Sequence, residues 1–208
     1  ILGNSIEKKD TSYELVDIKK FHLDRIKSLF DIGFISQRLK KMKIRIFVDS
    51  MHGSAAKCIS EIFDQNDFAV ISEIREDPDP YFGGNPPEPL LNYLDDLNET
   101  LIEKSVDGVK TLGIIFDGDG DRIAAIDEKG RYCSTQDLLP YFISYLGEIN
   151  DNSYPVVKTV SGSDIIKNIA ESQNRKVFEL PVGFKYIAKK MIKDKVFIGG
   201  EESGGVGF

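Results

Sequence analysis

Apolar residues along the chain fall into short β-branched and aromatic runs separated by helix-period segments. Phe21, Leu23, Ile26, Leu29 and Phe30 recur at helical spacing and predict a short amphipathic helix. Residues 44–48 are β-branched and aromatic-rich and read as a buried strand that ends in Asp49-Ser50-Met51-His52-Gly53. Ser54 stands as the N-cap of a helix running through Ile59, Ile62 and Phe63, and residues 68–74 form the next strand. Strand, helix and strand in this order predict a parallel sheet with a right-handed crossover.

Residues 77–89 hold Pro78, Pro80, Pro86, Pro87 and Pro89 with Gly83, Gly84 and Asn85, a density of locked φ angles and missing donors that leaves only a long loop. A helix is expected over 90–104 and a strand over 111–116, which runs into Asp117-Gly118-Asp119-Gly120-Asp121-Arg122. A strand at 123–126 turns at Glu128-Lys129-Gly130, and a second cycle begins. It reads as helix 138–146, strand 156–160, helix 164–172, strand 177–180, helix 184–192 and strand 196–198, which opens into Gly199-Gly200-Glu201-Glu202-Ser203-Gly204-Gly205. The fold class is α/β: two consecutive α/β domains, 1–131 and 132–208, with mixed, mainly parallel sheets sandwiched by helices.

Composition narrows the function. With 41% hydrophobic and 29% charged residues, the 208-residue chain is too apolar to be disordered. No run approaches the roughly 20 apolar residues that span a bilayer, so no membrane partner is expected. A net charge of −7 argues against a nucleic-acid backbone binder, although a local basic pocket for a small phosphate is compatible with it. Two cysteines, Cys58 and Cys133, are too few for a disulfide framework and read as reduced thiols of a cytoplasmic protein. The chain starts at Ile1 without a signal pattern and reads as an excised piece of a larger protein. Residues 1–20 read as a polar lead-in, the basic stretch at 40–43 as a solvated approach to a strand, and His22 and His52 as structural.

The chemistry concentrates at 117–122. Three carboxylates alternate with two glycines at the end of a buried strand. Residues two apart on a straight strand lie roughly 6–7 Å apart, so the loop must curl to bring Asp117, Asp119 and Asp121 onto one ion. Gly118 and Gly120 permit the curl, a cation relieves the mutual repulsion, and hard oxygen donors select Mg²⁺ or Mn²⁺. Arg122 adds a rigid fork for a phosphate oxygen beside the metal. Asp117, Asp119, Asp121 and Glu128 also fall on EF-hand spacing, but Arg122 stands where that loop requires glycine and the flanks are strands. An aspartyl phosphotransferase with Asp117 as nucleophile stays open on local sequence.

The 199–205 loop sets Glu201 and Ser203 on a glycine-flanked turn after a strand, where open α/β sheets bind ligands and where adjacent sugar hydroxyls can be met. Lys185 enters a helix after Pro181-Val182-Gly183-Phe184, a place for an anion. Lys158 lies inside an apolar strand and needs a partner or an opening to solvent.

Taken together these segments resemble a known family. Asp117-Gly118-Asp119-Gly120-Asp121-Arg122 resembles the metal-binding loop of the α-D-phosphohexomutases, the phosphoglucomutase/phosphomannomutase superfamily, and residues 200–205 resemble its sugar-binding loop. The segments at 49–53, 85–89 and 183–187 are similar to family segments in the family's order. The resemblance covers residues 10–208, corresponds to the second and most of the third of four domains, and implies that domains 1 and 4 of the same chain, the first with its phosphorylated serine, are not among these residues.

It further implies an intramolecular phosphotransferase that interconverts hexose 1-phosphate and 6-phosphate through a bisphosphorylated sugar, with Mg²⁺ as cofactor and a glucose or mannose phosphate as substrate. By this resemblance Asp117, Asp119 and Asp121 match the metal ligands, Arg122 the loop arginine near the reacting phosphate, and Glu201 and Ser203 the sugar contacts. Lys185 and Lys158 match positions that face the ligand in some branches. Phe184 and Gly205 stand where some dual-specificity members carry His, which leaves the choice of hexose open. The expectation for the isolated chain is weak Mg²⁺ binding and no mutase turnover. The alternatives are an aspartyl phosphatase and a non-catalytic sugar-phosphate or divalent-cation binding module.

Overall fold

A computed structural model describes residue 14, residues 16–63 and residues 71–208. Most of the polar lead-in, and residues 68–70 of the strand expected at 68–74, lie outside them. The first unit contains α1 (Ile18–Leu29), α2 (Ile32–Met42), β1 (Ile44–Asp49), α3 (Cys58–Ile62), β2 (Ile71–Ile74), α4 (Asp95–Glu103), β3 (Lys110–Phe116), β4 (Ile123–Ile126) and β5 (Tyr132–Cys133). The second contains α5 (Thr135–Glu148), β6 (Val156–Thr159), α6 (Asp164–Ser172), β7 (Val177–Leu180), α7 (Phe184–Lys193), β8 (Ile198–Gly200) and β9 (Val206–Gly207).

The first sheet has the order β2-β1-β3-β4-β5, with β2, β1 and β3 parallel and β4 and β5 antiparallel. The second has the order β7-β6-β8-β9, parallel except for β9. Both are mixed, mainly parallel sheets covered by helices, because their central strands are apolar on both faces. In the first sheet Phe47 and Ile115 pack with Leu94, Leu97 and Leu101 under α4, while Val48 and Ile71 face Leu39 and Ile59 of α2 and α3. Gly113 is needed for the α4 contact: a Cβ there would stand 2.9 Å from Leu97 Cδ2. In the second unit Leu139, Ile143, Ile166 and Ala170 of α5 and α6 cover Val156 and Ile198 on one side. On the other side α7 approaches β8 so closely that a Cβ on Gly199 would lie 2.5 Å from Ile187 Cγ2.

Several expectations are corrected. The helix placed at 21–30 begins at Ile18, where Asp17 accepts from the Lys20 amide, and its apolar face is mostly uncovered: Leu23 is buried but Phe21 is 70% exposed. The periodicity gave a real helix but not the burial that usually causes such periodicity. The basic stretch at 40–43 belongs to the end of α2, capped by Asp31 at its start and by left-handed Lys43 at its close. Ser54 caps no helix: its amide donates to Gly118 O at 2.9 Å, and α3 starts only after Lys57. The last expected strand is shifted to Ile198–Gly200 and paired with the short β9, which has too little pattern to be read beforehand.

Candidate functional site

The loop at 117–122 leaves β3 at its carboxyl end and returns into β4. Asp117 is fully buried, and its carboxylate organises the curl: Oδ1 accepts from the amides of Asp121 (2.9 Å) and Arg122 (3.1 Å), and Oδ2 accepts from Arg122 Nε at 2.5 Å. Gly120, at φ +77°, makes the reversal that no L side chain adopts readily. The loop rests on two others. Gly118 N donates to Pro87 O at 3.0 Å in the proline-rich loop, and a Cβ on Gly53 would lie 2.4 Å from Gly118 O. His52 Nδ1 donates to Asp77 O at 2.8 Å and ties the start of the proline-rich loop to the turn after β1.

The curl brings one carboxylate oxygen each of Asp117, Asp119 and Asp121 within 4.8 Å of one another. Neighbouring ligands on an octahedral Mg²⁺ ion at about 2.0–2.1 Å stand about 3 Å apart and only opposite ones reach about 4.2 Å, so the three carboxylates need to draw inward to close on a small hard cation. The electrostatics fit the same use. Burial and then the charges of Asp117 and Asp119 push the Asp121 carboxyl up from its ordinary value. Burial also pushes Asp117 up, but the Arg122 side chain and amide outweigh it and the net shift is down. Burial lowers Arg122, and the bond and charge of Asp117 overcome it to raise the guanidinium. The loop thus holds excess negative charge that one arginine only partly balances.

The 200–205 loop is sewn to this acidic loop. Ile123 N donates to Gly204 O at 3.1 Å, and Arg122 and Gly205 form an antiparallel bridge. Around this seam lies a cavity of about 650 Å³ lined by Asp119, Asp121, Arg122, Phe184, Glu201 and Ser203, with glycines 120 and 205 and Val206. Ser203 Oγ donates to Glu201 Oε1 at 2.6 Å, so carboxylate and hydroxyl face one ligand space together. Six of the eight residues singled out from the sequence therefore meet: Asp117 in the floor of the acidic loop and the other five around the cavity. The lysines do not. Lys158 is buried and donates to Gly162 O (2.9 Å) while pairing with Glu179 (3.2 Å); Lys185 is exposed and lies over the Tyr186 ring. Neither lines the cavity, because the strand face that carries Lys158 looks toward the turn after β6.

Sequence reasoning missed three supports. Asp49, fully buried, is held by Arg75 through both oxygens. Glu202 accepts from Thr159 and Ser161. Arg175, also buried, fastens the loop before β6 through Asn152, Tyr154 and Asn150. A carboxylate or guanidinium next to an apolar strand is the signal that marks such groups, but it does not name their partners.

The seam depends on Gly204, which sits at φ +121° with Arg122 Cβ 2.7 Å from where its own Cβ would be. Gly204→Ala is expected to lower stability by about 2 kcal/mol through backbone strain and the clash. It also separates the loops, seen as a large shift of the Ile123 amide resonance; an unchanged resonance would show the seam to be tolerant.

Two family models match the chain: phosphoglucomutase/phosphomannomutase α/β/α domain II over residues 20–130 and domain III over residues 136–208. Phosphoglucomutase-1 of Homo sapiens is 29% identical over 96% of this chain and 36% of its own length. Phosphoglucosamine mutase of Methanocaldococcus jannaschii is 33% identical over 78% of this chain and 36% of its own length. A crystal structure of a putative phosphomannomutase from Thermus thermophilus superposes with a TM-score of 0.81 at 26% identity, over 95% of this chain and 44% of that one. The chain spans about 36% of the length of the curated relatives it matches.

Proposed function

The chain belongs to the phosphoglucomutase/phosphomannomutase family, and from that premise we propose that it contributes the metal loop and the sugar loop of a phosphohexomutase acting on a glucose or mannose phosphate. The observation that carries the reading is the seam, which sets the three-aspartate cluster and the Glu201–Ser203 pair on one cavity. Asp117, Asp119 and Asp121 hold Mg²⁺, whose positive charge offsets the negative charge of a phosphoryl group in transfer. Arg122 presents its guanidinium to a phosphate oxygen at the cavity wall. Glu201 accepts from sugar hydroxyls, and Ser203 can accept or donate beside it. The phosphoserine that gives and takes the phosphoryl group stands in a part of the protein outside these 208 residues, so the chain alone binds without turning over. Half-buried free thiols at Cys58 and Cys133 fit a reducing, cytoplasmic setting. No helix among the described residues is long and apolar enough to cross a membrane.

The second reading, an aspartyl phosphatase with Asp117 as nucleophile after the strand, differs from the first in the reaction it predicts. Titration of the 208-residue chain with Mg²⁺ and α-D-glucose 1-phosphate tests the proposal. Weak binding of each, tighter together than apart, with neither mutase turnover nor hydrolysis of a generic phosphate ester, is the expected result. Hydrolysis abolished by Asp117→Asn would establish the phosphatase instead.

A further inference from the structure

The sugar loop has a second anchor on the side away from the seam. Glu202 Oε2 accepts from Thr159 Oγ1 at 2.8 Å and Ser161 Oγ at 2.5 Å, and these hydroxyls lie 3.1 Å from each other. Thr159 is fully buried at the end of β6 and Ser161 is in the turn that follows. That turn is itself clamped. Gln136 Nε2 donates to Ser161 O at 3.0 Å and its Oε1 accepts from Ser163 N at 2.6 Å, while buried Lys158 donates to Gly162 O. A carboxylate that takes two hydroxyl donors on one oxygen, against a turn fixed by α5 and β6, is better placed than a solvated loop glutamate requires. Its neighbour Glu201 lines the cavity, so the backbone between the two residues turns one side chain to the ligand space and the other to the anchor.

We propose that Glu202 is a positioning residue: by its bonds to Thr159 and Ser161 it fixes the backbone that presents Glu201 and Ser203 to the sugar. This rests on the sugar-phosphate reading above and extends it to a residue that does not touch the ligand. The loop is then held at two points, Glu202 on β6 and Gly204–Gly205 on the acidic loop, and Glu201 and Ser203 are set by both. Lys158 serves the same platform from beneath, by bracing the turn that carries Ser161.

Amide hydrogen exchange and binding together test it, on the chain with Glu202→Ala, Glu202→Gln and Thr159→Val/Ser161→Ala. In Glu202→Ala, exchange at the Glu201 and Ile123 amides, which donate to Gly205 O and Gly204 O, is expected to quicken about tenfold while the Val157 amide in β6 is unchanged. The response of the Ser203 amide to α-D-glucose 1-phosphate with Mg²⁺ weakens about tenfold. Glu202→Gln, whose amide oxygen still accepts both hydroxyls, recovers part of each effect, and adding the Thr159/Ser161 changes to Glu202→Ala does nothing further. Unaltered exchange at Glu201 and Ile123 in Glu202→Ala overturns the proposal, as does an equal loss of protection at Val157, which marks a general destabilisation. If the wild-type chain gives no response to the sugar phosphate, the functional reading fails, and the exchange pattern still decides whether Glu202 positions the loop.

Discussion

Replacing Asp119 and Asp121 together by alanine is expected to weaken Mg²⁺ binding at least about 100-fold while leaving the urea midpoint unchanged or slightly raised. Both side chains are exposed, and the Asp121 carboxyl is pushed up by burial and by two neighbouring negative charges, so their removal relieves repulsion and opens no cavity. In the proposed metal site each supplies a donor to the cation, and a loss of two donors at a hard-ion site cannot be made up by water on an otherwise solvated loop. Asp117→Asn behaves differently. It places an amide N–H₂ against Arg122 and loses the charge that holds the curl, so binding falls and stability drops by about 2 kcal/mol, an amount reduced by the partial exposure of Arg122.

The pH dependence has a definite sign. The Asp117 carboxyl is held below its ordinary value of 3.8, so its contribution is present above the unfolded value and is lost as pH falls through the lower folded one. Isothermal titration with Mg²⁺ at pH 7, alongside urea unfolding at pH 7 and on lowering the pH below about 4, checks all of this. Undiminished binding by the Asp119→Ala/Asp121→Ala chain would remove the metal assignment.

The largest stability effect is expected away from the cavity, at Asp49→Ala. Asp49 is fully buried at the end of β1; Arg75 Nε donates to its Oδ1 at 2.8 Å and Nη2 to its Oδ2 at 2.5 Å, with the Arg75 side chain 10% exposed. Removing the carboxylate strands a desolvated guanidinium on Tyr93 O and a longer contact to Asp96, which costs about 3–5 kcal/mol, a large part of a typical domain's stability. Asp49 Oδ1 also accepts from Met51 N, the first of two left-handed residues in the turn that leads to Gly53 beneath the acidic loop. Mg²⁺ binding therefore weakens as well. Arg75→Met combined with Asp49→Ala restores part of the stability, since no charge is then left unpaired. A midpoint shift equivalent to less than about 1 kcal/mol in Asp49→Ala would show that solvent reaches the pair.

The sequence made some parts of this plain for physical reasons. Strands β1, β3 and β6 were legible because a central place in the sheet demands short runs of apolar, β-branched or aromatic residues, and the edge strand β7 showed by the same residue types although Glu179 is exposed. Helix α6 was legible with its limits because Ser163 caps it and one side is apolar. Helix α2 was not, since its buried side includes Ser36 and its end is a run of lysines. The turn after β1 was misread as a helix start, because Ser54 looks like a cap while left-handed Met51, His52 and Lys57 leave no mark in composition.

The candidate site divides along the same line. Alternating Asp and Gly after a strand mark a candidate cation loop in the sequence, because close carboxylates repel one another and a curl calls for glycine. That Lys158 turns to the loop after β6 and away from the cavity, which arginine neutralises Asp49, and that Glu202 grips β6 were all decided by tertiary structure. Each depends on partners brought together by the crossing of loops rather than by spacing along the chain. The seam between Gly204 and Ile123 is the clearest case: it joins two separate sheets, and local residue patterns carry no information about a hydrogen bond between them.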